Sequence, residues 1–315
     1  MHTGTEQQAT PLRRRRRRFV AVSGALTVTL VAAGLAAVAT GGPAAAGTTG
    51  VHPAAVVSSG TAVTRTGSSI IINPHSWQQI WGDGFDTGVD SQKWGAIEGL
   101  VNDNLGNDQV FTSFDVSGSN GNMVINSEKR QYGSKAYTSG MVWTKGRFSF
   151  TYGKIEIRAK IPAMGTGVWP AMWLQGNVNS AWPGPGGNEI DFAELWNSPS
   201  VVNQGLHYAD TANGKDLGQN QGCTGATAYN SPVNLSADYH IYSLVWEPGP
   251  TLTYYVDNKA TCQVSLTGNY FNTPMYIVID TALGASWFGH PDATTPFPQQ
   301  FDIDYVHVFQ DLNLQ

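Results

Sequence analysis

Long amphipathic periods are missing from this chain. From Ile71 to Gln315 no stretch carries a sustained 3.6-residue apolar repeat, which leaves no helical crossovers between strands. Charge is scarce as well, since 13% of the 315 residues are Asp, Glu, Lys or Arg. Cysteine is scarcer still: Cys223 and Cys262 are the two present, and their separation excludes the CxxC spacing of redox and zinc sites. The run Pro183-Gly184-Pro185-Gly186-Gly187 lacks the Lys-Ser/Thr tail and following helix of a phosphate loop. The domain has no low-complexity repeats, which speaks against an adhesive structural protein.

What the chain does have is 36 Gly, 10 Trp, 12 Tyr and 12 Phe, a composition suited to short strands and tight turns. Its first 46 residues read as an export signal. Arg13 to Arg18 precede an apolar stretch from Phe19 to about Ala39, and Ala44-Ala45-Ala46 offers small residues for cleavage. Arg16-Arg17-Arg18-Phe19-Val20 also fits a twin-arginine signal, and an uncleaved membrane anchor is the competing reading of the apolar stretch. Without residues 1–46 the chain holds 12 basic and 22 acidic residues, a net charge of −10 against −5 for the whole. Such a chain is a poor partner for nucleic acid. In an oxidising space a Cys223–Cys262 disulfide is the natural expectation. Residues 47–69, rich in Thr, Ser, Gly, Ala and Val, read as a flexible link, and 70–315 as one folded domain.

Within that domain period-2 alternation recurs between Gly, Pro, Asn and Asp clusters. The clearest run is Arg147 to Ile161, with Gly153 marking a bend. Others lie at Met123–Ile125, Val168–Leu174, Glu189–Leu195, Tyr239–Trp246, Leu252–Val256, Met275–Asp280 and Phe301–Phe309. So many strands predict an all-β fold, a jelly-roll sandwich of two curved antiparallel sheets.

Chemistry concentrates in Asn188-Glu189-Ile190-Asp191-Phe192-Ala193-Glu194-Leu195. In a regular strand Glu189 and Asp191 share a face, whereas Glu194 points the other way. One residue bulged out near Phe192 or Ala193 returns Glu194 to the first face. Three acids in a row repel one another, and folding has no use for that. Retaining glycoside hydrolysis does: it needs one ionised carboxyl to attack the anomeric carbon and one protonated carboxyl to release the leaving sugar. Asp191 between them is placed to share a proton with Glu189. A solvated acidic edge and a cation site are the plainer alternatives.

Aromatic residues surround this strand in sequence. Trp169, Ala171 and Trp173 share a face, and Trp182, Trp196 and Trp287 are further candidates for stacking on sugar, each of them also a natural core residue. Tyr208 belongs to the same group. His207 begins the strand after the acids, as a neighbour of Glu194 or as a structural histidine.

The segments Gly167-Val168-Trp169-Pro170-Ala171-Met172-Trp173-Leu174 and Glu189-Ile190-Asp191-Phe192-Ala193-Glu194 together resemble glycoside hydrolase family 16, in its bulged E-x-D-x-x-E branch with the laminarinases. Tyr137-Thr138-Ser139-Gly140, Lys145-Gly146-Arg147-Phe148, Tyr152-Gly153-Lys154-Ile155-Glu156, Phe297-Pro298-Gln299 and Ile303-Asp304-Tyr305-Val306 extend the likeness over roughly Trp81 to Gln310. The resemblance implies a concanavalin A-like jelly roll with a concave cleft and retaining chemistry. It assigns Glu189 as nucleophile, Asp191 as its assistant and Glu194 as general acid/base. It also implies a structural calcium with Asp304 as a ligand, for which a polar residue on an outer edge strand is the plain alternative. Leu283-Gly284-Ala285-Ser286-Trp287-Phe288-Gly289-His290 and Leu195-Trp196-Asn197 depart from the laminarinase pattern where a bound chain would run.

The expectation is therefore a secreted endo-glycosidase acting on β-1,3 or mixed β-1,3/1,4-glucan, monomeric, without a catalytic cofactor, and free of the membrane once the signal is removed. A galactan-type substrate such as agar or β-1,3-galactan, or a non-catalytic lectin-like protein, are the alternatives.

Overall fold

Alternation builds the strands. In Gly153–Lys160 the residues Ile155, Ile157 and Ala159 are wholly buried, while Lys154, Glu156, Arg158 and Lys160 between them keep contact with solvent. A strand with one such face must cover it with another layer. The computed structural model, which describes residues 64–66, 69–71, 75–177, 187–208, 221–249, 251–266, 268 and 270–314, shows what that layer is.

Ten strands form one sheet in the order Lys259–Ser265, Thr251–Val256, His240–Glu247, Gly153–Lys160, Gln299–Asp311, Asn122–Glu128, Tyr137–Ser139 and Gln109–Phe111. Trp77–Asp83 also pairs with Gln299–Asp311, and Val116–Ser119 with Asn122–Glu128. Eight strands form the second sheet: Gly222–Cys223, Val201–His207, Glu189–Glu194, Val168–Gly176, Met275–Leu283, Met141–Trp143 and Gly95–Ala96 in order, with Tyr229–Asn230 paired to Val201–His207. Helix among the described residues is limited to four 3-10 turns of three residues each. The fold is all-β, the expected jelly-roll sandwich, with one difference: Gln109–Phe111 runs parallel to Tyr137–Ser139, while the other pairings are antiparallel.

The core lies between the sheets. Met123, Ile155, Leu244 and Phe301 from one meet Met172, Ile190, Leu206 and Ile277 from the other in one buried cluster. All nine residues of Met275–Leu283 are buried, because a second apolar cluster covers its far side with Ile97, Phe111 and Met141. That outer cluster becomes the floor of the site.

The run expected as one strand from Arg147 to Ile161 is two pieces. Phe150 makes an isolated bridge to Met275 in the eight-stranded sheet, and the regular strand of the other sheet begins at Gly153. The chain changes layers at Tyr152-Gly153. Gly153 has φ +122°, and a Cβ there would lie 2.3 Å from the Phe309 carbonyl oxygen, so the crossing needs glycine.

Cys223 and Cys262 are joined as a disulfide, with Cα atoms 5.9 Å apart. It ties one end of the eight-stranded order to one end of the ten-stranded order. Thr64–Thr66 and Ser69–Ile71 pair as a short ribbon at the end of the segment read as a link. The rest of 47–69, and the export signal 1–46, lie outside the described residues. Among the described residues no helix is long and apolar enough to cross a membrane.

Candidate active site

A bulge decides where the acids point. Against the tryptophan strand Val168–Gly176, Glu189 pairs with Gln175, Asp191 with Trp173, Ala193 with Met172 and Glu194 with Ala171, which leaves Phe192 as the extra residue. The register shifts again opposite Val201–His207, between Asp191 and Glu194. Phe192 and Ala193 consequently both face the core, with Ile190 and Leu195. Glu189, Asp191 and Glu194 line a cavity of about 380 Å³ on the opposite face.

Their environments raise two of the three carboxyls. Burial, and then the charge of Glu189, raise the Asp191 carboxyl well above the usual range, and a hydrogen bond with Glu189 adds to the rise. His207 opposes it, with Nε2 3.8 Å from Asp191 Oδ2. An acid that keeps its proton donates that bond to Glu189. Glu194 is also raised well above the usual range, by burial first and by Asp191 second, against the hydrogen bond that Trp169 Nε1 donates to Oε1 at 2.9 Å. The row therefore ends at Glu194 in a carboxyl that burial favours in its protonated form.

The cavity floor is the outer apolar cluster, with Phe111, Met141, Ala282 and the rings of Trp169 and Trp173. Asn102, Asn104 and Asn107 line its far side. Trp169 and Trp173 thus lie in the cavity as expected from sequence. Trp196 and Trp287 do not line it but pack edge-on to Trp169, with ring centroids 6.4 and 5.2 Å away, and Trp287 is 52% exposed. Phe288, which the sequence reading did not single out, joins them 5.6 Å from Trp169. Asn197 holds this cluster together, accepting from the Gly167 N–H and donating to the Phe288 carbonyl. Trp182 lies outside the described residues. Tyr208 is a core residue, packed on Tyr270 and Phe271.

One placement differs from expectation. His207 ends its strand rather than beginning it and pairs with Glu189, not Glu194. Val201–His207 runs antiparallel to the acid strand from the Glu194–Asn203 pair, so its last residue meets the first of the acids. The Asp304 carboxylate is bound by the Arg158 guanidinium, a partner of the charge that repels a cation. Of the described residues, Glu189, Asp191 and His207 alone form a group of three metal-ligating side chains, with their ligand atoms within 4.8 Å of one another, and Asp304 belongs to the other sheet. The Arg158–Asp304 ion pair is the plain alternative to the calcium expected at Asp304. Asp280, the other acid in the cavity, was missed in the sequence reading; its signal was a single carboxyl in the apolar run Met275–Leu283.

Comparison with known proteins agrees with this geometry. The chain is 32% identical over 274 residues to the keratan-sulfate endo-1,4-beta-galactosidase of Sphingobacterium multivorum, covering 82% of this chain and 61% of that protein. It is 30% identical to the beta-glucanase of Rhodothermus marinus, covering 75% and 86%. Among solved structures, the catalytic domain of an endo-1,3-beta-glucanase (laminarinase) from Thermotoga petrophila RKU-1 superposes with a TM-score of 0.67 at 31% identity, over 76% of this chain and 99% of that one. The chain thus spans less than two thirds of the galactosidase but nearly all of the laminarinase domain. Residues 110–307 match the family model of glycosyl hydrolases family 16, and with the bulged acid strand at the centre of that match, the chain belongs to this family.

Proposed function

We propose that this chain is an endo-acting, retaining glycoside hydrolase that cleaves β-1,3 or mixed β-1,3/1,4-glucan. The observation that carries the reading is the bulge at Phe192, which sets Glu189 and Glu194 on one face of one strand, with burial raising the Glu194 carboxyl. Glu189 attacks the anomeric carbon while Glu194 gives its proton to the departing oxygen, breaking the glycosidic bond and leaving the sugar esterified to Glu189. Glu194, now ionised, takes a proton from water, whose oxygen displaces Glu189 and restores both carboxyls. Asp191 holds Glu189 in position through their shared proton. The scheme uses these side chains and water, with no cofactor, and one chain supplies all of them, so we take the monomer as the working unit. The arginine run and apolar stretch within residues 1–46, and the disulfide, support export from the cell.

The beta-glucanase and laminarinase relatives favour a glucan. The keratan-sulfate galactosidase, at 32% identity, favours a galactose-containing chain as the second reading. Mature protein and Glu189→Gln, incubated with laminarin, mixed-linkage β-glucan, agarose and β-1,3-galactan, separate these by reducing ends and product sizes. Short oligosaccharides from a glucan with wild type alone support the first reading. Products from a galactan alone support the second, and binding without cleavage makes the protein a lectin. NMR of the first-formed reducing end tests the stereochemistry: a product with inverted anomeric configuration would overturn the roles given to Glu189 and Glu194.

A further inference from the structure

We propose that Asp280 is a substrate-contacting residue that accepts hydrogen bonds from hydroxyls of the sugar ring seated beside the scissile bond. The inference rests on the glycosidase reading above and adds a recognition residue to it.

The register places Asp280 with care. Glu194 pairs with Ala171 on the tryptophan strand, Ala171 pairs with Asp280, and Asp280 pairs with Met141. Glu194 and Asp280 therefore stand in one row across the sheet, two strand spacings or about 10 Å apart at Cα. The residue between them is alanine, which fills none of the gap. All four residues line the cavity, so a ring lying over Ala171 has Glu194 on one side and Asp280 on the other.

Nothing in folding accounts for a carboxyl there. Its neighbours on the same face of the strand are Val278 and Ala282, both in the apolar floor with Met141 and Phe111. Asp280 is 5% exposed. Trp173 Nε1 donates to its Oδ2 at 2.9 Å, and no cation pairs with it among the described residues. A buried carboxyl in an apolar floor costs free energy that a single N–H bond does not offset. Sugar hydroxyls supply the missing donors, and a charged acceptor holds them about twice as strongly as a neutral one. Burial raises this acid to about 7, and hydroxyls donating to it favour its ionised form.

The plain alternative is that Asp280 only fixes the Trp173 ring. The test separates the two. In the Glu189→Gln background, which keeps the ligand intact, the affinity for the oligosaccharide that wild type cleaves is measured by calorimetry for three further changes: Asp280→Ala, Asp280→Asn and Trp173→Phe. We expect Asp280→Ala to weaken binding about 10- to 100-fold, the range of a lost hydrogen bond to a charged group. Asn, which still accepts from a hydroxyl, loses less. The Ala loss exceeds that of Trp173→Phe, which removes the N–H and keeps an aromatic ring, by at least about tenfold. Equal losses from Asp280→Ala and Trp173→Phe, or an Asp280→Ala affinity within about twofold of its parent, overturn the inference while leaving the glycosidase reading in place. Melting curves confirm that each variant is folded. If wild type cleaves none of the four polysaccharides, the glycosidase reading fails first, and the inference with it.

Discussion

At the residue scale the site depends on how each carboxyl holds its proton. Glu194 is kept protonated by burial and by Asp191, so Glu194→Gln should lose about 10²- to 10⁴-fold in turnover of polysaccharide, the usual contribution of a general acid. The loss should be far smaller for an aryl glycoside whose leaving group needs no proton; equal losses on both would remove Glu194 from the role. Asp280 makes a stability prediction with a definite sign. Burial raises it from 3.8 to about 7. Below pH 4 both folded and unfolded chains hold this proton. As pH rises the unfolded chain releases it first, so stability is lost between about pH 4 and 7, by about 4 kcal/mol in full. Urea titrations of Asp280→Asn across that range should show a flatter decline than wild type, and parallel curves would contradict the buried, titrating acid. The three acids of the strand were legible in the sequence because their spacing is improbable without a shared task. Asp280 was not, since one carboxyl in an apolar run says nothing about which face it takes or what lies opposite.

At the scale of elements, the bulge is the feature that local sequence announced and pairing completed. E-x-D-x-x-E required an extra residue somewhere near Phe192, and the register with Gln175, Trp173, Met172 and Ala171 shows that it is Phe192 itself. Strands with clean alternation, such as Gly153–Lys160, were readable. Val201–His207 was harder, since Asn203, Gln204 and Gly205 interrupt its apolar pattern and only pairing with the acid strand makes it continuous. Gly95–Ala96 and Gly222–Cys223 exist only as partners of other strands, and no two-residue pattern can signal that. The layer crossing at Gly153 yields a direct test. With φ +122° and a carbonyl oxygen 2.3 Å from the position of a Cβ, Gly153→Ala should lose about 3 kcal/mol or more. For a domain of this size that lowers Tm by about 6 to 12 °C. An unchanged Tm would mean that Tyr152-Gly153 is not where the chain crosses.

For the whole molecule, two sheets share one core, and a covalent tie joins their ends. The Cys223–Cys262 bond closes a loop of 39 residues, worth about 4 kcal/mol on the chain-entropy account. Replacing both cysteines by serine should lower the urea midpoint accordingly and leave turnover at 25 °C intact, because neither residue lines the cavity. A double variant as stable as wild type would show that the core alone holds the layers together. The all-β class was legible from the missing helical periods, and the disulfide from two cysteines with no other partner. The assignment of strands to layers was not, because an antiparallel strand can pair at either edge of either sheet. The cavity itself crosses four strands, from Glu194 through Ala171 and Asp280 to Met141. Neighbouring strands are about 4.8 Å apart, close to the length of one pyranose unit in a β-linked chain. A saccharide laid across the sheet is thus measured by it, one sugar to one strand, and a shift of the chain by one unit presents every ring to the residue row that its neighbour has just left.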